Sequence, residues 1–339
     1  MGMTGCKKKD TTPVVPASYN QTNLVADTAG FSAGRTDVSL KNAWGIAIGP
    51  TGIFWISSNH TGSTAVYDYN GAQIKAAVNI PLNANPTGAS PTGVVLNTTT
   101  DFVIPGNNTS LFIYATEDGL LSAWNSTTAG TTMTVADRSS AGAVYKGLTI
   151  GSDGGSNFIY ATDFHNGKID VFDKNFAYVS TKPFSDPAIP TGFAPFNIQN
   201  IGGQLYVTYA KQMAPDNHDD QSGAGNGYID VFTTSGTLVK RFASQGMLNS
   251  PWGIVQAPAG FGQGSNMILV GNFGDGRISV YQSDGTYVGQ LMKNSVVISI
   301  PGLWAITFDS IAPADPNVLY FTAGPNEESH GLFGYLKKM

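Results

Sequence analysis

Cysteine occurs once in the 339 residues, at Cys6, so no internal disulfide can staple the fold. Charge is scarce as well. Only 12% of residues are Asp, Glu, Lys or Arg, and they balance to −5 with an isoelectric point near 5.2. A chain with no basic stripe is a poor partner for nucleic acid or for an anionic membrane surface. No run of 18 apolar residues is present, which excludes a hydrophobic spanning helix. Leu, Glu and Lys are too few for long amphipathic helices. The sequence also lacks a Gly-x-Ser-x-Gly elbow, a Cys-based zinc motif, a phosphate-binding glycine loop and a His-Glu-x-x-His pair. What it has is 41 Gly, 18 Pro and many Thr, Val and Tyr, the material of short strands joined by tight turns.

The single cysteine has an informative setting. Thr4-Gly5-Cys6 followed by Lys7-Lys8-Lys9-Asp10 resembles the cut end of a bacterial lipoprotein signal, although a structureless tail with a chance cysteine reads the same way. The resemblance implies a lipid on Cys6 and a place in the cell envelope, on a periplasmic or outer-membrane face. Residues 1–20 are then a flexible tether and 21–339 a single domain.

A repeat organises that domain. An aromatic or polar residue, a small one and an apolar pair recur as Trp44-Gly45-Ile46-Ala47, Thr92-Gly93-Val94-Val95 and Lys146-Gly147-Leu148-Thr149. They recur again as Phe196-Asn197-Ile198-Gln199, Trp252-Gly253-Ile254-Val255 and Trp304-Ala305-Ile306-Thr307. Successive anchors are 48, 54, 50, 56 and 52 residues apart, close to the roughly 40–50 residues of a four-stranded propeller blade. Each anchor precedes a second strand (Ile53–Ser57 in the first repeat) and then an alternating third, as in Lys168-Ile169-Asp170-Val171-Phe172. The sixth repeat runs out after its third strand, Gly331–Leu336. Thr22–Ala26 precedes the first anchor where an outer strand precedes every other. The expected fold is therefore all-β, a six-bladed propeller of four-stranded blades whose last blade is closed by an N-terminal outer strand.

The run from Phe158-Ile159-Tyr160-Ala161-Thr162-Asp163 through Gly167–Phe172 resembles NHL-repeat propellers, a likeness of architecture rather than chemistry. Rings of that kind include amidating and streptogramin lyases, and gluconolactonases and paraoxonases share the architecture. The resemblance implies an exported bacterial propeller.

In such a ring the lead-in loops to the innermost strands share one face with the loops between second and third strands. Trp44, Lys146, Phe196, Trp252 and Trp304 then stand around one channel mouth, as a stacking rim for a substrate or as filling between blades. All four histidines, His60, His165, His218 and His330, fall in the loops between second and third strands. Imidazole ligates zinc, copper or iron and is the usual base near neutral pH. Aligning the ends of the second strands puts Asn59, Glu117, Asp163, Ala210, Asn272 and Ala323 in one column. Its four polar members, Asn59, Glu117, Asp163 and Asn272, are oxygen donors suited to calcium, or else residues that tie down their own loops. Their types are similar to the calcium ligands of paraoxonase-like and gluconolactonase-like propellers. Two long loops, Lys211–Asn226 and Gly324–Gly331, carry Asp216, Asp219, Asp220, Glu327 and Glu328, as a specificity wall or as solvated acidic loops.

The resulting expectation is a monomeric, metal-dependent hydrolase of a small ester, lactone or phosphotriester. Calcium is the favoured ion and zinc the second, and a lyase using the same groups is a close relative. The alternative is a non-catalytic surface module that binds a glycan, peptide or protein.

Overall fold

A computed structural model describes residues 17–82 and 88–339. Six antiparallel sheets follow one another along the chain, and their innermost strands contact each other in cyclic order, closing a six-bladed ring. Those inner strands are Ala43–Ile48, Pro91–Leu96, Tyr145–Asp153, Phe193–Ile201, Pro251–Gln256 and Leu303–Phe308. Second and third strands such as Phe54–Ser58, Phe112–Thr116 and Leu120–Trp124 are buried at every position. Both faces of each middle strand are covered by neighbouring blades, so hydroxyls and small residues are common there, and buried charges such as Asp170 and Asp230 are paired, with Lys168 and Arg241.

The last blade closes as the repeat requires. Tyr19–Ala26 pairs antiparallel with Leu332–Lys338, from Tyr19 opposite Lys338 to Ala26 opposite Leu332. Tyr19 is buried, stacks on Phe261 at 4.8 Å and donates its hydroxyl to Phe261 O. The strand begins two residues before the expected domain boundary, and Cys6 lies outside the described residues.

The repeated anchor has a backbone cause. In all six blades the pairing of first and second strands slips by one residue at the anchor, for example between Tyr145 and Gly147 and between Pro251 and Gly253. A bulge leaves a residue outside the ladder and re-aims its side chain. Its orphaned carbonyl needs another donor, and the neighbouring blade supplies one. Thr162 donates to Phe196 O at 3.3 Å, Asn197 to Trp252 O at 2.8 Å, and Thr322 to Trp44 O. Trp252 Nε1, two blades further round, donates to Lys146 O at 3.0 Å. The small residue after the anchor is needed because adjacent inner strands nearly touch. A Cβ on Gly45 would lie 2.6 Å from Thr92 O, and one on Gly253 would lie 2.7 Å from Trp304 O.

Candidate functional site

The re-aimed anchors meet on the axis. Trp44, Trp252 and Trp304 are 1%, 5% and 1% exposed and form one cluster with Phe164, Phe196 and Phe273. Trp304 is stacked between Trp44 at 3.6 Å and Phe273 at 3.9 Å, and Trp252 meets both other indoles edge-on. Of the two expectations for these residues, a stacking rim or filling between blades, the aromatic ones form filling, a plug in which the indoles pack on one another. Below it, the inner strands enclose only about 20 Å³ of axial space, room for about one water.

The oxygen column also rearranges. Opposite the residue before each anchor stand Ser58, Thr116, Asp163, Tyr209, Asn272 and Ala323, so Asn59 and Glu117 are one position further along than Asp163 and Asn272. One residue along a strand reverses the side chain. Asp163 is buried, with Oδ1 accepting from the backbone N–H groups of Val144 and Asn166. Asn272 accepts from Asn249 N and donates to Met247 O. These two tie down loops. The positions matching Asn59 and Glu117 are Phe164, Ala210, Phe273 and Gly324, of which the first three belong to the plug cluster or pack directly against it. This register position is thus polar in blades one and two and apolar in three to five. The four-oxygen calcium set is not assembled, because only Asn59 and Glu117 meet.

What is assembled is an arc of hydrogen bonds from the last blade to the fourth. Asn42 Nδ2 donates to Glu328 Oε2 at 2.6 Å and to Asn59 Oδ1 at 3.4 Å. Asn59 Nδ2 donates to Glu117 Oε2 at 2.9 Å. Lys146 Nζ bonds Glu117 Oε1 and reaches Asp219 Oδ1 at 3.3 Å, and His218 Nδ1 lies 3.0 Å from the same oxygen. Trp304 Nε1, donating to Asn42 Oδ1 at 3.0 Å, pins the arc to the plug. One ligand atom each from Glu117, His218 and Asp219 lie within 4.8 Å of one another, a candidate metal-binding triad. A mixed nitrogen and carboxylate donor set fits a divalent ion of the zinc or manganese type better than calcium, which takes six to eight oxygens.

The electrostatics follow from four carboxylates (Glu117, Asp219, Asp220, Glu328) around one buried ammonium. Burial works against the charge on Lys146, but Glu117, Asp219 and, further off, Glu328 outweigh it and leave its pKa raised. The hydrogen bond to Asp219 raises His218, and the same bond, with Lys146, holds Asp219 below the usual carboxylate range. Burial, helped by the Glu117 charge, pushes Glu328 up to about 7. Burial also raises Asp220 and lowers His60, which still feels the Glu117 charge.

The histidines divide. His218 joins the triad and His60 flanks Glu117. His165 bonds Asp216 O at 2.9 Å on the exposed long loop, and His330 bonds Asp27 at 2.9 Å beside the closing strand. Asn42 has no counterpart in the sequence reading, and Asp219 and Glu328 stood there only as members of peripheral loops. Two residues before the anchor, Asn42, Ser250 and Gly302 all take left-handed backbone, a feature of the fold that the sequence does not mark.

Ring and mouth together define a six-bladed propeller with an aromatic axial plug and, beside it, an acidic side-chain cluster centred on Lys146. No family model matches the chain. The chain belongs to the family of the uncharacterized proteins R648 and L690 of Acanthamoeba polyphaga mimivirus. It is 35% identical to R648 over 330 residues, which cover 93% of this chain and 80% of that protein. It is 35% identical to L690 over 332 residues, covering 93% and 85%. Among solved structures it is similar to virginiamycin B lyase from Staphylococcus aureus (TM-score 0.57, 12% identity, 95% and 99% of the two chains). It is also similar to a Xanthomonas campestris gluconolactonase (0.53, 15%, 98% and 100%) and to the calcium-binding regucalcin of Agrobacterium tumefaciens (0.55, 15%, 88% and 91%). At these identities the structural likeness carries the fold alone.

Proposed function

We propose that the mouth is a metal-assisted hydrolase or lyase site for a small ester, lactone or phosphotriester, in which Glu117, His218 and Asp219 hold a divalent cation. The observation that carries this reading is the convergence of their three ligand atoms, brought from blade two and the long loop of blade four to within 4.8 Å. Structural neighbours named as a lactonase, a lyase and a calcium-binding protein support it. A bound cation would supply Lewis-acid polarisation of a substrate oxygen. His60, kept neutral by burial, is the candidate proton acceptor. Glu328, with its proton leaving at about 7, is the candidate donor. Lys146 is too firmly protonated to act as a nucleophile and instead supplies fixed positive charge.

Metal analysis of the purified protein, with turnover of lactones, aryl esters and paraoxon before and after EDTA, tests the proposal. Stoichiometric metal, and activity lost with chelator and in Glu117→Gln, are expected. No metal and no turnover would refute it. One observation favours the second reading, a metal-free binding module: Lys146 already neutralises part of the charge of Glu117 and Asp219. An envelope location with lipid on Cys6 belongs to the same proposal. Cell fractionation of Cys6→Ser tests it, and unchanged partition between membrane and soluble fractions would count against it.

A further inference from the structure

We infer that Lys146 is a built-in competitor for the cation at the mouth, its ammonium and a divalent ion occupying the carboxylates of Glu117 and Asp219 alternately. This rests on the metal-assisted reading and concerns what sets the affinity of that site. Nζ bonds Glu117 and stands 3.3 Å from Asp219, and these are two of the three residues of the triad. An ion held at an ordinary metal–oxygen distance of about 2.0–2.6 Å would share its oxygens with the ammonium and meet its charge directly.

The two halves of the lysine's grip are unequal. Glu117 is 13% exposed on a strand end, whereas Asp219 is 67% exposed on a long loop. The Asp219 contact is the one an arriving ion displaces first, since an exposed pair is worth little. The ammonium keeps other partners when the carboxylates are taken: Nζ already lies 5.4 Å from the centre of the Trp44 ring and 6.0 Å from that of Phe164, aromatic faces that accept a cation. Lys146 itself is 2% exposed and is set at this point by the anchor bulge of blade three, so it cannot swing out to solvent. Wild-type affinity is therefore weak for a three-ligand site, and monovalent ions gain nothing over the tethered ammonium.

Calorimetric titration of the full chain with Mn²⁺ as probe separates the outcomes, comparing wild type with Lys146→Met and Lys146→Arg. The unbranched methionine fills the space of the lysine side chain beside Trp44 and Phe164 without charge. Lys146→Met is expected to bind at least about tenfold more tightly than wild type, while Lys146→Arg stays close to wild type. Metal-free Lys146→Met should melt below wild type, because Glu117 loses its partner, and Mn²⁺ should restore it. A variant that folds only with Mn²⁺ supports the inference equally. A folded Lys146→Met that binds no more tightly than wild type overturns it and leaves the metal reading standing. So does a Lys146→Arg that tightens as much as the methionine variant. Lys146→Met that stays unfolded at millimolar Mn²⁺ also overturns it. Absence of Mn²⁺ binding by wild type and variant alike refutes the metal reading itself.

Discussion

Gly147→Ala tests the geometry that places the mouth. Gly147 follows the bulged Lys146, and a Cβ there would lie 2.1 Å from Asn197 Oδ1 and 3.1 Å from Asn197 Cα. Asn197 is not a flexible obstacle. It is buried, its Nδ2 donates to Trp252 O at 2.8 Å, and its Oδ1 accepts from Ile198 N at 2.8 Å. One asparagine therefore touches blade three and bonds blade five from blade four. Forcing in a methyl costs about 1–3 kcal/mol in overpacking. Displacing Asn197 and orphaning the Trp252 carbonyl costs a further ~1–3 kcal/mol. The sum, about 2–6 kcal/mol, is a large part of the roughly 5–15 kcal/mol that holds a typical domain. The control is Gly289→Ala, in an outer strand where a Cβ meets nothing within 4 Å and the backbone is not left-handed. That change should be neutral or stabilising by up to about 1 kcal/mol. Urea unfolding at unchanged m-value measures both. Equal midpoints for the two variants would refute the claim that inner strands are in contact at the anchor.

Trp304→Ala removes an indole stacked on both faces and leaves Asn42 Oδ1 without its donor. A loss of about 3–5 kcal/mol is expected in the same assay, and one below ~1 kcal/mol would mean the plug is not packed. Glu328 carries a pKa raised from 4.5 to about 7, so the folded state holds the proton more tightly than the unfolded chain. Its own contribution to stability is then fully present below about 4.5 and is lost as pH rises through 7, by up to roughly 3 kcal/mol. Glu328→Gln should remove that slope, and parallel pH–stability curves for wild type and variant would sink the assignment. His218→Gln should lower bound metal in elemental analysis, whereas His330→Gln, paired with Asp27 by the closing strand, should leave it unchanged. Equal losses from both would show that ligands were assigned to the wrong histidine.

The ring was legible because one physical requirement recurs six times. Each inner strand bulges at its anchor, and in five of the six blades the next residue is Gly or Ala, small enough for the neighbouring strand to pass, while in the fourth Asn197 bonds across to it. Trp44-Gly45, Thr92-Gly93, Lys146-Gly147 and Trp252-Gly253 write that requirement directly into the sequence. The closing strand was legible for a related reason, since Thr22–Ala26 was an unpartnered strand and blade six lacked one. The site was harder to read because polar residue type does not distinguish a loop tie from a ligand. Thr116, Asp163 and Asn272 share a register position, and each accepts a backbone N–H of a nearby loop, from Leu120, Asn166 and Asn249 respectively. Asn59 and Glu117, one residue later, face the axis. Only strand parity separates the two sets, and an alignment without the pairing register can miss it by one. Asn42 and Glu328 were hidden differently. They are 286 residues apart and meet because the last blade closes on the first. No local pattern encodes that contact, yet the arc from Glu328 through Asn59 to Lys146 spans this seam. The closing strand and the mouth therefore share a boundary: Asp27, the residue after Tyr19–Ala26, bonds His330 and Gly331 at the end of the loop that carries Glu328.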